Sequence, residues 1–141
     1  MTTVMKNTLG LIGIVVHTVT PTDLATHWRN DVPVLATPIL LWLAELACMR
    51  AIEGRVPEGY MTVGSQHACG HLSPTPAGLV ITMSALVTAV TDRTVEFAVS
   101  ADDGQERILS GKHIRGLVQR ERFMGRVTEK ALHLSQGGRH G

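Results

Sequence analysis

Residues with chemistry to offer gather in two places: Thr37 and Glu45, eight apart in one apolar stretch, and the histidines of the run His67-Ala-Cys69-Gly-His71. A hydroxyl, a carboxylate and an imidazole are groups with which proteins attack acyl carbons and move protons. Glu45 is the most informative. It is the only charge between Thr37 and Arg50, inside the run PILLWLAELACM. An ionised carboxylate buried without partners costs several kcal/mol, so Glu45 needs a partner, a raised pKa or a solvated cleft. A seam to solvent or an arginine partner is the purely structural explanation. Thr37 precedes it by eight residues, which on a helix is about 80° of rotation and roughly 12 Å of rise. The two can line one groove without touching. Thr37 before Pro38 is also a helix-capping signal. A helix N-terminus offers free N–H groups and a positive dipole end that can polarise a carbonyl.

The third group comes from His67-Ala-Cys69-Gly-His71. On a strand, period-two geometry puts His67, Cys69 and His71 on one face. Same-face neighbours on one strand lie about 7 Å apart, too far to chelate one ion easily, so no metal site is expected. A base or orienting role for one histidine is more economical, because imidazole titrates near working pH. Gly64 and Gly70 interrupt the strand and mark either a bulge or a point where a ligand nears the backbone. A backbone N–H beside such a glycine can stabilise an oxyanion.

These residues need elements to hold them. Leu9 to Val19 reads as a strand, and 20–36, with Pro21 and Pro33, as a loop with a short helical turn. Thr37 to Gly54 is predicted as a helix, apolar nearly all round and therefore buried. Strands follow over 60–71, 79–90, 94–101 and 107–119, with Asp102-Asp103-Gly104 as a hairpin turn. A short helix over 120–132 and a frayed tail from Ser135 to Gly141 complete the chain. One long apolar helix and an antiparallel sheet predict an α+β domain over 1–134, the sheet wrapped around the helix. The exposed sheet edge invites pairing across a two-fold axis.

Composition narrows the function. Hydrophobic residues make up 44% of the 141, charged residues 18%, and the net charge is +1, as in an ordinary globular domain without a pull toward nucleic acid or membrane. Aromatics at 4% are too few for a base-stacking platform. Cys48 and Cys69 show no metal or redox spacing and suit a reducing cytoplasm. No cleavable leader is expected in 1–8, and 38–49 is too short to span a bilayer. The last third is locally basic: Arg107, Lys112, Arg115, Arg120, Arg122, Arg126 and Lys130 stand against Glu106, Glu121 and Glu129. Such a surface suits either plain solvation, the phosphates of coenzyme A or an acidic acyl carrier protein.

Several stretches together resemble the hot-dog thioesterases similar to fluoroacetyl-CoA thioesterase. They are Ala36-Thr37-Pro38, LLWLAELACMRAI with Glu45, then Gly64, His71 and Thr75-Pro76-Ala77-Gly78, and finally VSADDGQERILSGKHIR with Arg122-Phe123. The resemblance covers 35–127. It implies the hot-dog fold, a homodimer whose sheets join, active sites at the dimer interface and no cofactor. It implies an acyl-CoA or acyl-carrier-protein thioester as substrate. It makes Thr37, Glu45 and His71 catalytic: His71 activating water or the attacking group, Thr37 as nucleophile or positioning hydroxyl, and Glu45 as nucleophile, base or charge stabiliser. Gly64, Leu35, Cys69 and Arg115 are the expected substrate contacts. Two features depart from the resemblance. Trp28 is the one aromatic in 27–35, where the family closes its pocket with aromatics. His67 and Cys69 are polar where apolar strand residues belong, which points to a larger or more polar acyl group. The competing functions are a non-catalytic acyl-thioester binder and an enoyl-thioester hydratase or dehydratase, the latter needing an Asp and His side by side.

Overall fold

The computed structural model describes residues 5–137. Strands β1 (Ile12–Thr18), β2 (Tyr60–His71), β3 (Val80–Val90), β4 (Thr94–Asp102) and β5 (Arg107–Gln119) form one antiparallel sheet in the order β1-β3-β4-β5-β2. Helix α1 (Thr37–Ala51) lies across its inner face, and α2 (Arg120–Gly137) continues from the end of β5. Short 3₁₀ turns occupy 6–8, 21–23 and 25–28.

Alternation builds the core. Ile81, Met83, Ala85 and Val87 of β3, and Val95, Phe97, Val99 and Ala101 of β4, face Leu40, Leu43, Ala44, Ala47 and Cys48 of α1. Each such buried aliphatic contributes about 1.5–3 kcal/mol for the larger side chains. The helix comes close enough to β1 that a Cβ on Gly13 would collide with the Ala47 carbonyl. Only a glycine there lets the two elements meet.

Three expectations change. α1 is buried on one face only; Trp42 and Met49 stand exposed on the other, because the sheet wraps half of the helix. α1 ends at Ala51, with Ile52 as its C-cap, not at Gly54. α2 runs to Gly137, past the predicted 132 and three residues into the segment expected as tail; 138–141 and 1–4 lie outside the described residues. Among the described residues no helix is long and apolar enough to cross a membrane.

Candidate active site

Thr37 does not cap its helix. The N-cap is Ala36, and Thr37 occupies the first helical position with Pro38 after it. Its Oγ1 lies 2.7 Å from Nδ1 of His71, at the end of β2. The segment before α1 is anchored at both ends of its turn. The Ala36 N–H donates to the Asp23 carbonyl and the Leu35 N–H to the Thr75 carbonyl. Thr75 is itself buried and donates its hydroxyl to Asp103 in the β4–β5 turn, at 2.9 Å. The Thr75-Pro76-Ala77-Gly78 turn thereby holds the start of α1 against the sheet. Burial keeps the His71 imidazole below its ordinary value, hence neutral near pH 7 and able to accept the Thr37 proton. The partner of His71 is a hydroxyl, not the aspartate that a hydratase pair needs.

Trp28, Asn30, Val34, Ala36, Thr37 and His71 line a groove of about 540 Å³. Trp28 is 52% exposed at its rim. Leu35, expected to contact substrate, borders this groove but is only 1% exposed, with its side chain in the core.

Glu45 belongs to a different cluster. Its side chain is 32% exposed, and its Oε1 accepts from Arg115 Nη1 at 3.0 Å. The arginine pairing foreseen as the structural explanation is therefore present. Arg115 is 4% exposed. Its Nε donates to Thr62 Oγ1, its Nη2 to the Thr62 carbonyl, and its Nη1 also to His113 Nε2 at 3.1 Å. With four hydrogen bonds inside the protein, its guanidinium acts on Glu45 and not on an open surface.

The β2–β5 register explains the cluster: Gly64 pairs with Arg115, and His67 with His113. A bulge between Gly64 and Gln66 shifts the register at this point. A Cβ at Gly64 would collide with Glu45 Oε1, so the glycine makes room for the carboxylate. The His113 ring is fully buried, and its Nδ1 lies 3.0 Å from the Gln66 carbonyl. A carbonyl can only accept, so Nδ1 carries the proton and Nε2 accepts from Arg115. Burial, with His67 and Arg115 nearby, lowers the His113 pKa to about 4. His67 stacks on His113 with centroids 4.1 Å apart and planes 18° from parallel. Its Nε2 is 3.6 Å from Glu45 Oε2.

Glu45, His67 and His113 bring ligand atoms within 4.8 Å of one another, the spacing of a metal centre. The geometry opposes that use. Imidazole binds a metal along the lone pair in its ring plane, and two stacked rings aim their lone pairs side by side. The Arg115 guanidinium already sits on both Glu45 and His113. Cys69 donates its thiol to the Lys112 carbonyl at 3.3 Å, and burial raises its pKa.

His113 was not singled out in the sequence, although its i, i+2 spacing from Arg115 on a strand puts both on one face. His67 was weighed only with Cys69 and His71 on its own strand. A second cavity, of about 580 Å³, lies where β2 begins, with Tyr60, Arg93, Arg122, Phe123 and Arg126 in its walls.

The model of the fluoroacetyl-CoA-specific thioesterase (FlK) family matches residues 19–121. The chain belongs to this family. Over 97 residues it is 35% identical to the fluoroacetyl-CoA thioesterase of Streptantibioticus cattleyicolor, covering 69% of this chain and 70% of that protein. The crystal structure of the fluoroacetyl-CoA thioesterase FlK superposes with a TM-score of 0.80 at 30% identity, over 86% of this chain and 96% of that one. A hot-dog-like protein from Thermanaerovibrio acidaminovorans gives a TM-score of 0.80 at 23% identity, over 86% and 91%. The fold of this FlK-family chain is the hot-dog fold, as its sequence led us to expect.

Proposed function

We propose that the protein hydrolyses an acyl-CoA thioester to a free acid and coenzyme A, as a homodimer paired through the β2 edges. The observation that carries this is the Thr37–His71 pair at the N-terminus of α1, in a chain of a thioesterase family. A neutral imidazole on a hydroxyl is the arrangement of an activated nucleophile. His71 Nδ1 takes the Thr37 proton as Oγ1 adds to the thioester carbon. The C–S bond breaks, and the leaving thiolate takes the proton back from His71. Helix N-terminal N–H groups and the Gly64 backbone are suited to the oxyanion. In the second step a water loses its proton to Glu45 and its oxygen adds to the acyl carbon. The C–Oγ1 bond then breaks, and a proton returned through solvent restores Thr37.

Thr37 and Glu45 lie roughly 12 Å apart along α1, too far for one carbonyl to meet both within a chain. Dimerisation removes the difficulty. β2 is an edge strand with unpaired backbone groups along one side. If β2 pairs antiparallel with its copy about a two-fold near His67, His71 falls beside the partner's Gly64. Each site then combines Thr37 and His71 of one subunit with the partner's Glu45. The basic cavity near Tyr60 supports coenzyme A as the carrier, since arginines suit phosphates and the Tyr60 and Phe123 rings suit an adenine. Two free cysteines, Cys48 and Cys69, accord with a place in the reducing cytoplasm.

The test is thiol release from short, branched, aromatic and fluorinated acyl-CoA esters, followed by the same acyl groups on a carrier protein. Turnover of a CoA ester with carrier-bound acyl groups untouched is the expected result. Binding without thiol release from either set would overturn the reading in favour of a sequestering protein.

A further inference from the structure

We propose that His67 takes over the proton that Glu45 removes from water, and that it acts in hydrolysis through Glu45 without touching the substrate. The inference rests on the hydrolase reading above and deepens it.

The two carboxylate oxygens of Glu45 have different surroundings. Oε1 is held by Arg115 at 3.0 Å, whereas Oε2 faces His67 Nε2 at 3.6 Å. With Oε1 occupied by the guanidinium, a proton taken from water sits on Oε2, and the base is ready again only when that proton has moved on. Imidazole binds a proton about a hundredfold more tightly than an ordinary carboxylate. The 3.6 Å gap is longer than a hydrogen bond and closes with a small ring rotation, and catalytic hydrogen bonds are often long before substrate arrives.

The neighbours leave His67 as the group that can accept. Within the chain His71 stands on Thr37, and it is His67 that faces the free oxygen of Glu45. His113 is fixed by Gln66 on one nitrogen and Arg115 on the other. It gives the His67 ring a flat, uncharged wall to slide on. The groups around His67 are thus Glu45 from α1 and His113 and Arg115 from β5. His67 Nδ1 is buried and has no hydrogen-bond partner among the described residues, so no acceptor fixes the ring's tautomer. With its proton on Nδ1, Nε2 is free to receive. In the transfer the O–H bond at Oε2 breaks and an N–H bond at Nε2 forms. The carboxylate is restored beside Arg115, and the imidazolium later releases its proton to solvent.

Steady-state and burst kinetics on acetyl-CoA, from pH 5 to 9, test this with His67→Gln, His67→Leu and His67→Ala dimers whose fold is checked by circular dichroism. The expected result is a tenfold or greater fall in kcat, with KM within threefold and the first-turnover thiol burst intact. The acid limb of kcat should also move, and added imidazole should restore turnover to His67→Ala. Unchanged kcat and acid limb in all three variants would overturn the relay, as would a loss confined to KM. Glu45→Gln separates the two readings. If it turns over normally, the Glu45 role itself fails. If it stalls while the His67 variants match wild type, the relay alone fails.

Discussion

The Thr37 hydroxyl reaches His71 Nδ1 at 2.7 Å, across 34 residues of sequence, and leaves the end of its own helix uncapped. That choice of partner separates a chemical role from a structural one. Losing a true N-cap costs typically about 1 kcal/mol. Thr37→Ala should therefore melt within a degree or two of wild type while turnover falls tenfold or more, and His71→Ala should do the same. Thr37→Ser, which keeps the hydroxyl, should retain most activity. A Thr37→Ala variant that loses stability but not turnover would return the residue to capping.

Glu45 is assigned to the second step only. In Glu45→Gln, mixing with acetyl-CoA should release about one thiol per site and then stop, with an acyl group left on Thr37. Intact-mass spectrometry reads the adduct directly. A variant that shows neither burst nor adduct would place Glu45 in the first step.

Gly64 should be intolerant for a local reason. A methyl group there meets the Glu45 carboxylate, which is the end of a flexible side chain and can move aside. Gly64→Ala is expected to fold, with kcat reduced tenfold or more because Glu45 leaves Arg115. Wild-type kcat in the folded variant would show that the carboxylate position does not matter.

The proposed sharing of each site between two subunits makes a prediction about mixtures. Thr37→Ala and Glu45→Gln subunits are each inactive alone. A refolded hybrid contains one site with both defects and one with neither, so activity should return. Sites confined to single subunits give no recovery.

His113 should link stability to pH. Its folded pKa of about 4 lies below the ordinary histidine value, so between those values the unfolded chain holds more protons. Stability is complete above about pH 6.5 and falls as pH drops toward 4, by up to about 3 kcal/mol. His113→Asn should flatten this slope in urea titrations at pH 4 to 7. An equal slope in the variant would assign the effect to other groups.

Much of the architecture was legible because it is local. Alternating Ile81, Met83, Ala85 and Val87 mark an inward strand face, and Pro38 with the apolar run behind it marks a helix start. Thr37 and Glu45 could be placed relative to each other for the same reason. Partners across strands were not legible. Whether Arg115 meets Gly64, and His113 meets His67, depends on a β2–β5 register that includes a bulge. Nothing near Arg115 in sequence says that it belongs to Glu45, 70 residues earlier. The apolar character of α1 likewise cannot say how far a sheet will wrap it, and Trp42 and Met49 show where the sheet stops.

Trp28 stands at the rim of the groove that contains Thr37 and His71, while Trp42 lies on the outer face of α1 with its ring edge-on to His17. The chain has no other tryptophan. Its ultraviolet emission therefore divides into one lamp at the doorway and one elsewhere. With Trp42 replaced by phenylalanine, the remaining light becomes a clock for arrival and departure, readable with unlabelled acyl donors and without waiting for a bond to break.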